Sequence, residues 1–352
     1  MRRTKNAAPA AVGALALCAT LAAGCEPSPS TGTDAGARDT GVPTDAPVGM
    51  DSSPRPDSGE ADAGLPTSPP RTFTMAAGSG FRSPTDAVAS PDGATLLFAA
   101  FTTDEEPLAA IFSVPAAGGT PTARFEGSPL AYPSGLVLSC DGATLYIADP
   151  AADPDEDGVP GAVFALSVSG ASAPVPLGIT SLMEPNALAL DADCSDLYVS
   201  GRAMSGEAAV VRAPVAGGTG TVIAMGGELV APTGIHVDRS GVAWVMDHLA
   251  EGPDGTGVLF SIGTGTPEIV ASGLRMGTPG GVSLTPGGGT AVMGVRDGSG
   301  AAVLRTIEIE TGVVEDIALP ASFIDPAGLR AARGAGVFAI VDSEGSAIYR
   351  GQ

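Results

Sequence analysis

Six proline-led phrases divide most of this chain and restrict what it can fold into. They open at Pro84, Pro133, Pro185, Pro232, Pro279 and Pro326, at intervals of 47 to 52 residues. They read P-T-D-A-V, P-S-G-L-V, P-N-A-L-A, P-T-G-I-H, P-G-G-V-S and P-A-G-L-R. A turn follows, as in Pro91-Asp92-Gly93, Cys140-Asp141-Gly142 and Arg239-Ser240-Gly241. Then comes an apolar run such as Leu145-Tyr146-Ile147 or Ala243-Trp244-Val245, a polar loop, and a third run such as Val258 to Ile262. A weaker fourth run precedes the next proline, for example Glu268 to Ala271. Short runs bounded by Gly, Pro, Asp and Ser are strands. Four strands per repeat, at a period in the forties, is the pattern of a propeller blade. One blade cannot hide its two apolar faces, so neighbours must stack around an axis. Proline suits the head of a strand, where its missing N–H costs least.

The last repeat, Pro326 to Gln352, has room for only three strands. The missing fourth is available at the other end, as Thr72 to Ala76. The sequence therefore predicts an all-β, six-bladed propeller over residues 72–352, with four-stranded blades and an early strand closing the last one. Such closure removes edges that would template aggregation. The best copy of the phrase, P-T-G-I-H-V-D-R-S-G-V-A-W-V-M-D at Pro232 to Asp247, resembles the NHL-repeat and gluconolactonase-like six-bladed propellers. The resemblance covers about Thr72 to Gln352. It implies the fold far more than the function, because lactonases, lyases and pure binding proteins share this architecture.

Residues 1–24 read as an export signal, with Arg2, Arg3 and Lys5 ahead of an alanine-rich apolar stretch from Ala7 to Ala23. Leu21-Ala22-Ala23-Gly24-Cys25 resembles a bacterial lipobox, although Ala22 stands where leucine is commoner. Cleavage there would leave Cys25 as a lipidated first residue. That predicts a protein of the bacterial cell envelope whose membrane partner is reached through the lipid. Residues 25–71 are rich in Pro, Thr, Ser, Gly and Asp and carry almost nothing apolar, so a disordered linker is expected. As a flexible coil it would reach about 35–40 Å.

The chain carries 39 acidic and 17 basic residues, a net charge of −22. Nucleic acid is excluded as a partner, because phosphates would be repelled; divalent cations are suited. Outside the leader, Cys140 and Cys194 occupy the same turn of adjacent repeats. In an oxidising compartment they form a disulfide, or else they are two separate small hydrophobes.

Asp153, Asp155 and Asp157, followed by Gly158, have the D-x-D-x-D-G spacing of the front of a calcium loop. Gly161 and Phe164 stand at the later ligand positions, so Ca2+ or another divalent cation competes with a solvated acidic loop. Thr85, Ser134, Asn186, Thr233, Gly280 and Ala327 follow the six prolines and are expected at a channel mouth. The family resemblance implies a divalent metal there, held by Glu, Asn and Asp. Asn186 in P-N-A-L matches the asparagine, while Thr233 replaces the aspartate and no glutamate is evident. The competing role for Asn186 is an Asx-type turn. The two histidines are His236, expected to pack between blades, and His248, which follows Asp247. They are too few for the zinc site implied by the peptide-amidating lyases. Loops joining second to third strands carry Asp104, Glu105, Glu106, Asp149 to Asp157, Glu207, Asp247 to Asp254, Asp297, Asp342 and Glu344, which predicts an acidic rim. No catalytic set is complete. The reading is a lipid-anchored binding module for a protein, glycan or small ligand. The alternative is a divalent-metal lactonase or related hydrolase.

Overall fold

The computed structural model describes residues 66–170, 172–251, 256–263, 265–277 and 279–352. The leader, Cys25, the linker up to residue 65 and Asp254 lie outside the described residues. Strand β1 (Phe73–Ala77) comes first. Blade 1 is β2 (Ala87–Ala89), β3 (Thr95–Phe101), β4 (Ala109–Pro115) and β5 (Thr122–Glu126). Blade 2 is β6 (Gly135–Leu138), β7 (Thr144–Asp149), β8 (Ala162–Ser167) and β9 (Val175–Pro176). Blade 3 is β10 (Leu182–Leu190), β11 (Asp196–Ala203), β12 (Ala208–Pro214) and β13 (Thr221–Met225). Blade 4 is β14 (Pro232–Val237), β15 (Ala243–Asp247), β16 (Gly257–Ile262) and β17 (Pro267–Leu274). Blade 5 is β18 (Val282–Leu284), β19 (Thr290–Arg296), β20 (Ala302–Glu308) and β21 (Val314–Ala318). Blade 6 adds β22 (Pro326–Ala331), β23 (Phe338–Asp342) and β24 (Ala347–Gly351), and its outermost strand is β1.

Every neighbouring strand pair within a blade is antiparallel, and β1 pairs with β24 from Phe73↔Gly351 to Ala77↔Ile348. The expected closing strand is therefore present, displaced by one residue. Arg71 N–H and Thr72 N–H both donate to the Gln352 carbonyl, and the Arg71 guanidinium grips Glu315 at 2.6 Å. The chain is held to the propeller from Pro66 onward, whose carbonyl accepts Gly287 N–H at 3.0 Å.

The core is divided into six apolar clusters, each between two adjacent blades. Phe98, Phe112, Ala339 and Ile348 fill one junction; Leu97, Ile111, Leu136 and Phe164 fill the next. Val245 and Phe260 meet Ala187 and Val210 across a third. Side chains alternate faces along a strand, so successive residues serve the two flanking junctions. A fully buried Leu or Phe contributes about 1.5–3 kcal/mol, and a lone blade would collect none of it.

Alternate blades solve one problem differently. The segment entering each blade must be fixed beside the end of that blade's second strand. In blades 1, 3 and 5 that strand runs long and backbone bridges do the work: Arg82↔Phe101, Met183↔Arg202 and Arg275↔Arg296. In blades 2, 4 and 6 the strand ends in Asp149, Asp247 or Asp342. Each carboxylate is fully buried and accepts N–H groups from the incoming segment and from the loop that follows the strand. Asp149 takes Ala131, Tyr132, Ala151 and Ala152; Asp247 takes Val230, Ala231 and Leu249; Asp342 takes Ile324, Asp325 and Gly345. The expected acidic rim is corrected here. These three aspartates are capping groups inside the fold, whereas Asp104, Glu105, Glu106, Asp155, Asp157, Glu207 and Glu344 are exposed.

Candidate functional site: the central axis

Each inner strand runs from its proline toward the turn that leads into the second strand. The residue after the proline is not the one that faces the axis. Thr85, Ser134 and Thr233 are buried, Asn186 is half-buried, and their side chains bind backbone in or beside the ring. Thr85 Oγ1 donates to Pro133 O at 2.6 Å and Ser134 Oγ to Asn186 O at 2.7 Å. Asn186 Nδ2 donates to Pro232 O at 2.9 Å, and Thr233 Oγ1 to Met246 O at 3.3 Å. Asn186 thus ties blade 3 to blade 4, and no group of three potential metal ligands gathers around it among the described residues.

The third residue of each phrase faces the axis at its narrowest. It is glycine in four repeats. A Cβ on Gly234 would run into the Gly280 carbonyl, and one on Gly135 into the Ala187 backbone. In blade 1 this position is Asp86, a buried carboxylate against Gly328. Asp86 accepts Ala87 N–H at 2.9 Å, Leu136 N–H at 2.8 Å and Arg330 Nε at 3.1 Å. Burial pushes its carboxyl above the ordinary range, against the pull of the Arg330 guanidinium. The remaining void there is about 10 Å³, so the axis is stoppered at this level.

Beyond that stopper the axis opens into a cavity of about 1650 Å³, on the face of the turns between first and second strands. It widens outward between blades 4 and 5, past Trp244, Glu268 and Glu308. The fifth residue of each phrase lines it: Val88, Val137, Ala189, His236, Ser283 and Arg330. His236 therefore faces the funnel and does not pack between blades as expected, while its neighbours Ile235 and Val237 take the interblade core. Neither ring nitrogen of His236 bonds to a described residue. Burial, with the Arg330 and Arg333 guanidiniums beside it and Asp238 opposing, lowers this imidazole to about 3, so it is neutral at physiological pH. Arg330 Nη1 donates to Ile235 O at 3.0 Å. Arg333 reaches from blade 6 across to blade 3, where its Nη2 donates to Leu190 O at 3.1 Å and Asp191 O at 2.9 Å. Burial pulls its pKa down, with Asp191 opposing. Trp244 is the only tryptophan, and its Nε1 donates to Asp238 at 3.1 Å.

Sequence reading singled out Asn186 and Thr233 and passed over Asp86, Ser283, Arg330 and Arg333. Counting in twos from each proline would have put the third and fifth residues on the axis.

Two further sites lie off the axis. Cys140 and Cys194 form a disulfide joining the turns of blades 2 and 3, with Cα atoms 6.2 Å apart. That bond fits an oxidising, extracytoplasmic compartment. On the opposite face, in the β7–β8 loop, Asp153, Asp155 and Asp157 bring carboxylate oxygens within 4.8 Å of one another. Asp153 Oδ2 accepts Gly158 N–H at 3.1 Å, while Asp153 Oδ1 is shielded from solvent and has no hydrogen-bond partner among the described residues. Oxygen donors on a loop of this kind fit a hard divalent cation. His248 Nδ1 lies 3.0 Å from Ala231 O, so it and Asp247 both secure the connection into blade 4. Among the described residues, no helix is long and apolar enough to cross a membrane.

No protein-family model matches the chain. No curated protein matches it either. Solved structures do. A glucose dehydrogenase aligns over 80% of this chain and 99% of its own at 14% identity, with a TM-score of 0.59. An auxiliary nutrient binding protein from Bacteroides ovatus aligns over 79% and 75% at 12% identity, TM-score 0.56. A nidogen/laminin complex supplies a match over 70% and 85% at 16% identity, TM-score 0.53. Three names this different at such low identity have the architecture in common, and the chain is a six-bladed β-propeller.

Proposed function

We propose that this protein is a lipid-anchored, extracytoplasmic binding propeller that holds a small ligand in its axial funnel. The observation that carries the reading is a concavity of about 1650 Å³ floored by His236, whose ring nitrogens bond to no described residue. A large pocket with a few convergent polar groups is the usual form of a ligand site. A nutrient binding protein and a nidogen/laminin complex among its structural neighbours favour a binding role over a particular chemistry. The disulfide favours an exported protein. Lipidation at Cys25 rests on the residues before it, and Cys25→Ala should move the protein from the membrane to the soluble fraction of the envelope.

Trp244 gives the direct test of binding. It lines the funnel and is the sole tryptophan, so its fluorescence reports on occupancy. Titration with a panel of neutral and acidic saccharides and amino acids should yield saturable changes with at least one. A flat response across the panel, with no thermal stabilisation, would falsify the reading.

The loop of Asp153, Asp155 and Asp157 supports a second, separate role: a divalent cation, Ca2+ by its oxygen-only donor set. It sits on the face away from the funnel, so such an ion would order a loop and would not polarise a substrate there. A divalent-metal hydrolase is the competing account of the protein. Ester or lactone turnover lost on chelation would favour that account.

A further inference from the structure

We propose that the floor of the funnel is an oxyanion subsite, which seats the carboxylate or phosphate group of a small organic ligand on Arg330, Arg333 and His236. This rests on the binding reading above and specifies which ligands it concerns.

The argument comes from unspent hydrogen-bonding capacity. A guanidinium offers five N–H donors. Arg330 uses Nε on Asp86 and one Nη1 hydrogen on Ile235 O, and its Nη2 bonds to no described residue although Arg330 lines the cavity. Arg333 spends only Nη2, on two carbonyls across the funnel, which leaves Nε and Nη1 open. His236 leaves both ring nitrogens open. A neutral imidazole still presents one donor and one acceptor, so it can donate to an oxyanion and accept from a neighbouring hydroxyl. The three groups come from the ends of inner strands β14 and β22 and from the turn after β22, in blades 4 and 6. The two guanidiniums are held in place by bonds to backbone carbonyls, so binding need not order them first.

Charge elsewhere is consistent with this. The cavity's acids do not crowd the floor: Asp238 is occupied by Ser240, Val242 and Trp244, Glu268 lies on the outer strand of blade 4, and Glu308 and Glu310 lie at and just beyond the end of the third strand of blade 5. Asp86 offsets Arg330 and Asp191 acts on Arg333, so the floor offers directed N–H donors with little net charge. The chain as a whole is acidic, so an anion is repelled from a distance. That repulsion is screened beyond about 8–10 Å at physiological ionic strength and slows arrival more than it weakens seating.

The test uses the soluble propeller with its linker, Trp244 fluorescence and thermal shift. The probes are D-galacturonate, D-galactose and inorganic phosphate. Galacturonate and galactose differ chiefly in a carboxylate, and phosphate asks whether the oxyanion suffices alone. The expected result is that galacturonate, phosphate or both bind at least about tenfold tighter than galactose, as a charge-assisted hydrogen bond requires. His236→Leu removes no hydrogen bond to a described residue and should weaken that binding. Arg333→Gln should weaken it further; circular dichroism checks its fold, because Arg333 also bonds blade 3. Tighter binding of galacturonate than phosphate identifies a carboxylate ligand, and the reverse identifies a phosphate. Equal binding of galactose and galacturonate, unchanged in both variants, overturns the subsite and leaves the binding reading intact. No binding by any probe overturns the subsite as well. The binding reading then falls only if the wider panel is also flat.

Discussion

The two ends of the propeller's axis are made from the same six strands and spend their side chains in opposite ways. At the proline end, polar groups are consumed by the fold: Thr85, Ser134 and Asn186 donate to backbone carbonyls around the ring, and Asp149, Asp247 and Asp342 gather the N–H groups of the incoming segments. At the turn end, His236 and parts of Arg330 and Arg333 keep hydrogen-bonding capacity and face an open cavity. A buried polar group must be satisfied, and unsatisfied capacity is tolerated only where something else can reach it. One end therefore holds the wheel together and the other end is available to a ligand.

Substitutions at the two ends should separate stability from binding. The largest effect is expected for Asp149→Ala, which orphans four backbone donors. At roughly 1–3 kcal/mol for each donor left dry, the loss should reach about 4 kcal/mol or more in urea unfolding. A loss below about 1 kcal/mol would mean that water replaces the carboxylate and that this end is less sealed than the geometry implies.

Next comes the disulfide on the funnel side. Cys140 and Cys194 are 54 residues apart, a loop whose closure contributes about 4 kcal/mol in the chain-entropy account. The double serine variant should lower Tm on the order of 10 °C under oxidising conditions, and dithiothreitol should do the same to the wild type. An unchanged Tm in both would remove the disulfide from the list of what holds blades 2 and 3.

The third test concerns pH. His236 sits at about 3 when folded, below its ordinary 6.5. A depressed histidine is neutral in the folded state and takes a proton more readily when unfolded. Its contribution to stability is therefore complete above about 6.5 and is lost as pH falls toward 3. The charged groups acting on it are Arg330, Arg333 and Asp238. Asp86, pushed upward by burial, acts with the opposite sign, so the variant and not the raw profile isolates the histidine. His236→Leu should lose less stability than wild type between about pH 7 and pH 4. Parallel profiles would show that the imidazole is not desolvated at the floor.

The smallest effect is expected for Thr85→Val, which removes one interblade donor and keeps the shape. About 1 kcal/mol should be lost, with ligand binding untouched. A change in binding would mean that the sealed end communicates with the funnel.

Alternation around the ring sets a second contrast inside the first. Blades 2, 4 and 6 depend on a buried aspartate where blades 1, 3 and 5 have Ala100, Gly201 and Val295 and depend on backbone bridges. The unit that recurs most faithfully is thus a pair of blades. In the sequence the three aspartates looked like surface acids, because a carboxylate at the end of a strand reads the same whether water or backbone surrounds it. Only the path of the incoming segment distinguishes the two.

What the sequence determined by itself was the wheel. Apolar runs of strand length at a period near 47 residues, with three strands in the last copy and one to spare at the start, leave little other than six blades and a shared closing sheet. Those are local and periodic facts, and a linear string carries them. The equivalent placement of Cys140 and Cys194 was visible for the same reason, while the choice between a disulfide and two separate small hydrophobes took the 6.2 Å Cα separation. The functional face was decided by the tertiary structure. Asp86 meets Arg330, 244 residues away, and Arg333 reaches Leu190, 143 residues away, because closing the ring brings its first and last blades together and sets blade 6 across from blade 3. No spacing in the chain encodes those meetings. They follow from how closely six inner strands pack on one axis, which leaves almost no room at the third residue of each phrase and a cavity at the fifth.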